Sequence, residues 1–294
     1  MTVVAAASHE LRRLPVADGY RVPLLWHAAA APRGHVVLMA ALGIAARFYL
    51  PLAQALCAAG LNVALVEQRG HGESPLRPSR RTDFGFREAL TEDIPAVLDH
   101  LAEQAPGLPV YLMGHSLGGH YAAITAGRLP ERIDGVILTA CGTPWVPAFA
   151  GRTRRQLQLL VQLLPAFGLL FGYYPGDRVG FGGREARTLM ADWRDLALTN
   201  VYSARGLAAD LDSGIARWRG PLLSLRLADD AYAPEAAMAA VTDKFRSATV
   251  TRGVIDGAEL GDRADHFRWV RTPDAVVRRV SAWLDTLPAT PRAG

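Results

Sequence analysis

The sequence predicts an α/β fold, a mostly parallel twisted sheet flanked by helices. Three observations predict it. Short aliphatic runs alternate with stretches of helical period, the central runs are apolar throughout, and a glycine-rich turn joins one run directly to a helical stretch. Strands buried on both faces of a parallel sheet have this continuous apolar character. Their alternation with helices is typical of strand–helix–strand units.

Short runs rich in β-branched and aliphatic residues are the predicted strands. They are 20–26, 35–40, 62–66, 110–113, 135–140, 222–227 and 248–255. The four runs from 35 to 140 are apolar along their whole length, so we expect them at the buried centre of the sheet.

Two further stretches carry clear helical periodicity. Over 86–101 the apolar residues fall on one stripe, with Pro95 as a kink or a flaw in that prediction. Near the end of the chain, Thr272 is predicted to cap a helix that has Pro273 at its first position.

The segment 143–217 interrupts this alternation. It is long, helical in pattern and lies between two predicted strands, so we expect a helical cap inserted into a core made of 1–142 and 218–294. Ligands of open α/β sheets bind at the carboxyl edge of the strands. The insertion is therefore a candidate lid.

Composition fits a globular protein and excludes several classes. Of the 294 residues 50% are hydrophobic and 20% charged, enough for a large core. The 32 basic and 28 acidic residues are interspersed, which argues against a nucleic-acid-binding surface. Cys57 and Cys141 lie in apolar surroundings and are predicted to be buried free thiols.

The sequence also bears on location. The stretch 1–14 lacks a basic start followed by an apolar run, so we expect no secretion signal and a cytoplasmic protein. A membrane-spanning helix is not expected either. The most apolar stretch, 157–174, is interrupted by Gln158, Gln162, Pro165, Gly168 and Gly172.

A nucleophile motif follows the predicted strand 110–113. This strand runs directly into Gly114-His-Ser-Leu-Gly-Gly119 and then into a helix-like stretch. Strand, Gly-x-Ser-x-Gly and helix in this order are typical of a nucleophile elbow. A side chain at Gly114 or Gly118 would collide with backbone in so sharp a turn, whereas Ser116 projects its hydroxyl. An accidental glycine–serine pattern is the alternative, and the flanking strand and helix argue against it.

With this motif the chain resembles the α/β-hydrolase superfamily over nearly its whole length, and is similar to its lysophospholipase-like and predicted-hydrolase branches. Gln68-Arg-Gly-His-Gly-Glu-Ser74 looks like the Arg-Gly-x-Gly-x-Ser turn of that fold. We predict a structural role for this turn, with His71 a loop residue rather than a catalyst. The resemblance implies the α/β-hydrolase fold with a helical cap, and a catalytic order of serine, acid and histidine.

The histidine that this order selects is His266. Among the eight histidines, it follows the serine at a useful distance, after the last predicted strand and before the last helix. His115 and His120 adjoin the nucleophile, but we expect them to point elsewhere. Related proteins often carry glycine before this histidine, where this chain has Asp265.

The acid is expected just after the strand 222–227. The run Ala228-Asp-Asp-Ala-Tyr-Ala-Pro234 resembles the family pattern of an aspartate four residues before a proline, which selects Asp230. Its task is to orient the imidazole and to stabilise it when charged. Asp229 is the rival, and the weaker alternatives are Asp256, Glu259, Asp262 and Asp265.

Acyl transfer also needs two N–H groups aimed at the developing oxyanion. One is expected from the backbone of Leu117, the residue after the nucleophile. The second should come from the loop after strand 35–40, which reads Met39-Ala-Ala-Leu-Gly-Ile44 where many relatives have His-Gly. Aligning the loop gives Leu42 as the donor, with Ala41 as the alternative.

Together these residues predict a serine hydrolase that cleaves a carboxylic ester or thioester through an acyl-enzyme. The insertion is apolar on nearly every face over 157–171, which favours a small lipophilic acyl substrate. Part of it would line the pocket or touch a lipid surface, helped by Arg152, Arg154 and Arg155. A cap helix that simply packs against the body is the plainer interpretation.

No cofactor or metal is expected. No Cys/His cluster has zinc-ligand spacing, and no Gly-x-Gly-x-x-Gly or phosphate loop is present. Three alternatives remain open: an acyltransferase or thioesterase of a biosynthetic pathway, a ligand-binding protein that keeps the fold without turnover, and a non-hydrolytic relative such as a cofactor-free peroxidase or lyase.

Overall fold

The computed structural model describes residues 9–288. Its main sheet has the strand order β1-β2-β4-β3-β5-β6-β9-β10, and a two-stranded sheet joins β7 to β8. The strands are β1 (Glu10–Pro15), β2 (Arg21–His27), β3 (His35–Met39), β4 (Asn62–Val66), β5 (Val110–His115), β6 (Gly135–Thr139), β7 (Tyr173–Pro175), β8 (Arg184–Ala186), β9 (Pro221–Leu227) and β10 (Thr249–Ile255).

Helices cover both faces of the main sheet. They are α1 (Leu50–Ala58), α2 (Phe86–Glu88), α3 (Ile94–Gln104), α4 (Leu117–Arg128), α5 (Gly151–Phe171), α6 (Gly176–Val179), α7 (Arg187–Thr199), α8 (Leu211–Arg217), α9 (Glu235–Thr242), α10 (Gly257–Leu260) and α11 (Asp274–Leu284). A π-helical turn, Ala89–Asp93, joins α2 to α3.

The sheet is parallel from β4 to β10, and β1 and β2 add an antiparallel edge. Alternate residues of the central strands belong to two separate cores, as the period of a strand requires. Val37 and Leu112 share one core with α3 and α4, whereas Val36 and Met113 share the other with α1 and α11. The parallel strands end at one common edge of the sheet.

Each of the seven predicted strands is confirmed to within two residues at either end. Strand β1 is not predicted by the sequence. It lies at the edge of the sheet, where one face meets solvent, and its residues alternate between exposed and half-buried. Its sequence, Glu-Leu-Arg-Arg-Leu-Pro, is therefore polar rather than apolar, as edge strands commonly are.

Two details of the predicted helices concern prolines. Pro95 lies inside a continuous helical stretch, 86–104, just after the π-helical turn that ends at Asp93. The irregularity expected there is therefore present as a local distortion of the helix. Thr272 does not cap the last helix: α11 begins at Asp274, Pro273 is its flanking residue, and no side chain caps it. Pro273 already has near-helical angles, φ −77° and ψ −5°.

The stretch 143–217 contains α5, the β7–β8 hairpin, α7 and α8. Helix α8 packs on α4 of the core, where Gly214 contacts Gly127. Helix α5 runs unbroken through Pro165 and Gly168 and ends at Gly172, which has a left-handed conformation. The division into core and cap stays a prediction.

Both cysteines are buried free thiols, as predicted. No helix within residues 9–288 combines the length and the apolar character needed to cross a bilayer. The cytoplasmic location stays a prediction, and much of the stretch on which it rests lies outside the described residues.

Candidate active site

The turn at Ser116 has the sharp geometry that the sequence predicts. Strand β5 ends at His115 and helix α4 begins at Leu117, so a single residue makes the turn. The backbone of Ser116 lies at φ 51° and ψ −116°, a conformation that costs a non-glycine residue on the order of 1–3 kcal/mol. The serine is partly exposed while both neighbours are buried, so it is the accessible residue of a packed turn.

The glycines beside Ser116 are required because other segments of backbone lie directly against them. A Cβ atom on Gly114 would overlap the backbone of Gly118 and Gly119, and one on Gly118 would overlap the carbonyl oxygen of Met39. Gly119 packs as closely against the thiol of Cys141. A larger residue at any of these positions would push α4 away from the sheet.

Asp230 holds the imidazole of His266. The Nδ1 atom of His266 lies 2.7 Å from Oδ2 of Asp230, and both residues are buried. The other carboxylate oxygen accepts hydrogen bonds from the backbone N–H groups of Tyr232 and Ala233, at 2.8 and 3.0 Å. The carboxylate is thus fixed by its own loop, and it orients the ring so that Nε2 is left for another partner.

The rival carboxylates have other surroundings. Asp229, which precedes the paired acid, is exposed to solvent. Those farther along make local contacts, namely Asp256 with the N–H of Glu259, Glu259 with Arg279, and Asp262 with Arg268. These carboxylates therefore bind partners other than the imidazole of His266.

Asp265, which stands where related proteins often have glycine, folds back onto its own loop. Its Oδ1 atom accepts hydrogen bonds from the N–H groups of Phe267 and Arg268, at 3.1 and 2.9 Å. The indole N–H of Trp269 donates to the carbonyl oxygen of His266 at 3.0 Å. These contacts fix the histidine loop, and the extra side chain does not displace the imidazole from its carboxylate partner.

The loop after β3 carries the two positions weighed as the second oxyanion donor. The N–H of Ala41 donates to the hydroxyl of Tyr49 at 2.9 Å, in the core. Ala41, Leu42 and Leu117 all line the same cavity as Ser116. A donor must be free to meet the developing charge, so Leu42 is better placed for this task than Ala41.

The hydroxyl of Tyr49 also reaches His115, whose Nδ1 lies 2.7 Å away. Burial raises the pKa of Tyr49, so its hydroxyl stays protonated. The hydroxyl therefore donates a hydrogen bond to Nδ1 of His115. Burial lowers the pKa of His115 well below its usual value, and the neighbouring His266 lowers it further. The ring centroids of His115 and His266 are 4.6 Å apart. A neutral imidazole therefore packs directly against the ring of His266.

Ser116 and His266 share one cavity of about 360 Å³ with residues of the stretch 143–217. Its walls are mainly apolar and include Phe149, Leu157, Leu160, Val179, Phe181, Trp193 and Phe267. Thr153 and Gln156, together with Tyr174 and Tyr232, contribute polar groups to the lining. No aspartate or glutamate lies among the described residues that line this cavity. Nor does any group of His, Cys, Asp and Glu within 9–288 form a metal site.

His120 also lines this cavity, contrary to the expectation that it points elsewhere. Its Nδ1 lies 2.6 Å from the hydroxyl of Tyr202. Burial lowers the pKa of His120 to about 4, so the ring is neutral near pH 7. The sequence held only a weak signal, namely that His120 lies in the first turn of the helix that follows Ser116.

The turn 68–74 has the structural role predicted for it. The guanidinium of Arg69 pairs with Asp93 at 2.7 Å, and both residues are buried. The hydroxyl of Ser74 accepts hydrogen bonds from Tyr20 and from the N–H of Gly70. His71 is more than a loop residue, because its Nε2 lies 3.1 Å from Oε2 of Glu185 in β8, 114 positions along the chain.

Comparison with protein families gives a match over residues 30–259 to the Hydrolase_4 family, described as serine aminopeptidase, S33. The matched range is most of the chain and includes Ser116 and Asp230. The chain belongs to this family. The membership agrees with the order of strands and with the elbow described above, and it confirms the predicted resemblance to α/β-hydrolase serine hydrolases.

Curated relatives with sequence similarity include two lipases. The chain is 31% identical to the monoglyceride lipase of Homo sapiens over 130 residues, which are 44% of this chain and 42% of that protein. It is also 31% identical to the monoacylglycerol lipase of Mycolicibacterium smegmatis over 115 residues, 39% and 40% of the two chains. The chain therefore spans less than half the length of the curated relatives it matches.

Solved structures extend the similarity to most of the chain. A monoacylglycerol lipase of Paleococcus ferrophilus has a TM-score of 0.57 at 20% identity, covering 89% of this chain and 98% of that one. An esterase of Pyrococcus furiosus has a TM-score of 0.59 at 14% identity, covering 94% and 91%. At such identities the similarity shows the fold, and the predicted α/β-hydrolase fold is confirmed.

Proposed function

We propose that this chain hydrolyses a carboxylic ester of a lipophilic acyl group through a triad of Ser116, His266 and Asp230. The observation that carries the proposal is that His266, held by the buried carboxylate of Asp230, lines one cavity with the strained Ser116. Family membership and relatives named as lipases support the same chemistry.

The reaction begins when the hydroxyl oxygen of Ser116 attacks the ester carbonyl while Nε2 of His266 takes its proton. The imidazolium that forms is stabilised by Asp230. The oxyanion of the tetrahedral intermediate accepts hydrogen bonds from the N–H groups of Leu42 and Leu117. Collapse of the intermediate expels the alcohol, which receives the proton from His266.

Water completes the reaction by attacking the acyl-enzyme. His266 takes a proton from this water, and the same N–H groups bind the second oxyanion. Collapse breaks the bond between the acyl carbon and the Ser116 oxygen, and the serine regains its proton. The products are a carboxylic acid and the free enzyme.

The cavity favours an ester over a peptide, although the family description is that of an aminopeptidase. An aminopeptidase must bind the α-ammonium of its substrate, and a buried ammonium needs a carboxylate partner. The described lining of this cavity contains no carboxylate. Its aromatic and aliphatic walls instead suit an acyl chain, which gains free energy by leaving water.

The exposed surface of α5 supports contact with a lipid phase that supplies such an ester. Leu169 is 78% exposed, Leu170 63% and Leu159 57%. The basic group Arg152, Arg154 and Arg155 is exposed at the start of the same helix. Apolar side chains together with cations on one helix are typical of helices that lie on anionic membranes.

The test is labelling of the protein with a fluorophosphonate probe, combined with a series of p-nitrophenyl esters of increasing chain length. We expect the label on Ser116 and a preference for medium or long chains over acetate. No label on a folded sample would contradict the proposal and favour a binding role. Product analysis in the presence of alcohols separates hydrolysis from acyl transfer, because the two share every step to the acyl-enzyme.

A further inference from the structure

A second buried carboxylate–imidazole pair lies outside the triad. His71 Nε2 and Glu185 Oε2 are 3.1 Å apart, and their side chains are only 10% and 1% exposed. The other carboxylate oxygen of Glu185 accepts the N–H of Gly183 at 2.8 Å. The pair therefore joins the turn after β4, in the core, to the loop and strand β8 of the β7–β8 hairpin.

This pair lies where the hairpin touches the oxyanion loop. A Cβ atom on Gly43 would overlap the backbone of Gly182 and Gly183, and one on Gly182 would contact the side chain of Leu42 at 3.3 Å. The backbones at Gly43 and Gly183 are thus in direct contact. A shift of the hairpin would displace the backbone at Leu42, because two backbones in direct contact cannot adjust by rotating side chains.

The other end of the oxyanion loop is held by the turn 68–74 and the strand before it. The buried carboxylate of Glu67 accepts the N–H of Ala46 at 2.9 Å and the N–H of Glu73 at 3.1 Å. The loop from Leu42 to Ala46 is therefore fixed at one end by Glu67 and at the other by the hairpin.

We propose that His71 and Glu185 are positioning residues for ester hydrolysis: their ion pair, here called the clasp, holds the β7–β8 hairpin on the loop after β3 and thereby aims the N–H of Leu42 at the oxyanion. This inference rests on the proposed function, since it assigns a task to Leu42. Neither His71 nor Glu185 is among the described residues that line the cavity of Ser116, and the clasp acts through the loop.

Charge explains why the clasp needs both members. Burial alone would lower the pKa of His71, but the hydrogen bond to Glu185 and the charges of Glu185 and Glu67 raise it, against a smaller effect of Arg77. When His71 is protonated, its imidazolium neutralises a carboxylate that is almost wholly removed from water. Removing either partner would leave an uncompensated buried group, which is costly, and the hairpin would move to hydrate it.

The first experiment compares the wild type with Glu185→Gln on p-nitrophenyl butyrate. Glutamine keeps the size of the side chain and the acceptor for Gly183 but loses the charge. We expect kcat to fall about tenfold with KM unchanged within about twofold, because a misaimed oxyanion donor weakens transition-state binding more than substrate binding. The rate of fluorophosphonate labelling should fall by the same factor, since phosphonylation uses the same donors.

His71→Gln provides the second variant and should reproduce both effects. The double variant should be no slower than either single one, because both remove one interaction. Glu259→Gln is the matched control: it breaks the pair with Arg279, which is partly exposed and remote from the oxyanion loop, and should leave kcat unchanged. If Glu185→Gln does not fold, His71→Gln and the control decide the question.

Wild-type kcat in folded Glu185→Gln and His71→Gln would overturn the clasp. The clasp would also be overturned if activity fell only in proportion to a lowered thermal midpoint, or if only KM changed. Either result would point to a purely structural role. A wild-type protein with neither esterase activity nor label would refute the proposed function itself, which keeps the two failures apart.

Discussion

Within residues 9–288 two buried pairs of histidine and carboxylate occur, and they differ in which ring nitrogen meets the carboxylate. In the pair of His266 and Asp230, Nδ1 meets the carboxylate and Nε2 is left for another partner. In the pair of His71 and Glu185, Nε2 meets the carboxylate. The first pair borders the cavity of Ser116, and the second lies between the core and the hairpin.

The difference teaches that a short imidazole–carboxylate contact does not by itself indicate catalysis. Both pairs are buried, and both carboxylates use their second oxygen on backbone N–H groups of their own segment. What separates them is access to a nucleophile, because a general base must reach the proton it removes. Four experiments can break or sharpen this comparison.

Ser116→Ala should have the largest effect. We expect activity on p-nitrophenyl butyrate to fall by roughly 10⁴-fold or more, because without its nucleophile the first pair has no proton to take. The matched control is Ser281→Ala on α11, which should retain full activity. Comparable turnover by the Ser116 variant would mean that the pair of His266 and Asp230 serves some other residue.

Replacing Asp230 with Asn should lower kcat by about 10³- to 10⁴-fold, because an amide favours the wrong tautomer of His266. Asp229→Asn, at the exposed neighbouring position, should change kcat by less than about twofold. Both are measured on the same ester, with circular dichroism to verify the fold. The reverse ranking would show that the paired carboxylate is not the catalytic acid.

The exposed surface of α5 is tested by Leu169→Ser combined with Leu170→Ser. We expect roughly a fivefold loss on a long-chain ester carried in anionic vesicles and no change on soluble p-nitrophenyl butyrate, because these side chains would bury apolar area in lipid. Val254→Ser removes an exposed apolar side chain from β10 and should change neither rate. Equal losses on both substrates would place the defect in the clasp or the cavity rather than at a lipid surface.

The smallest effect concerns pH. The pKa of His71 is raised in the folded protein, so its contribution to stability is fully present below the unfolded value of about 6.5 and is lost as the pH rises through the folded value. The thermal midpoint of the wild type should therefore exceed that of His71→Gln by a few degrees at about pH 6, and by less at about pH 9. A margin that grows with pH would mean that His71 is not charged in the clasp.

Local rules made much of the site predictable. The elbow is encoded by glycines that no other residue can replace, and apolar runs mark the buried strands. His266 is selected by the serine, acid and histidine order of the superfamily that the chain resembles, and Asp230 by that family's aspartate four residues before a proline. These features depend on residues close together in sequence or on the fold as a whole.

The remainder depends on partners that no local pattern reveals. Leu42 is favoured over Ala41 because the Ala41 N–H is taken by Tyr49, and the sequence does not show where that hydroxyl lies. The partner of His71 is 114 positions away in a short hairpin strand that the sequence does not predict. Strand β1 is missed because it lies at the edge of the sheet, where half of its side chains face solvent and are polar.

The thiol behind the elbow has a practical consequence. Cys141 is fully buried against Gly119, and burial raises its pKa, so the reactive thiolate is absent near neutral pH. Alkylating agents and mild oxidants would have to unfold the protein before they could reach it. Thiol reagents are therefore not expected to inactivate the proposed site through Cys141, and an inhibitor of that site must be aimed at the hydroxyl of Ser116.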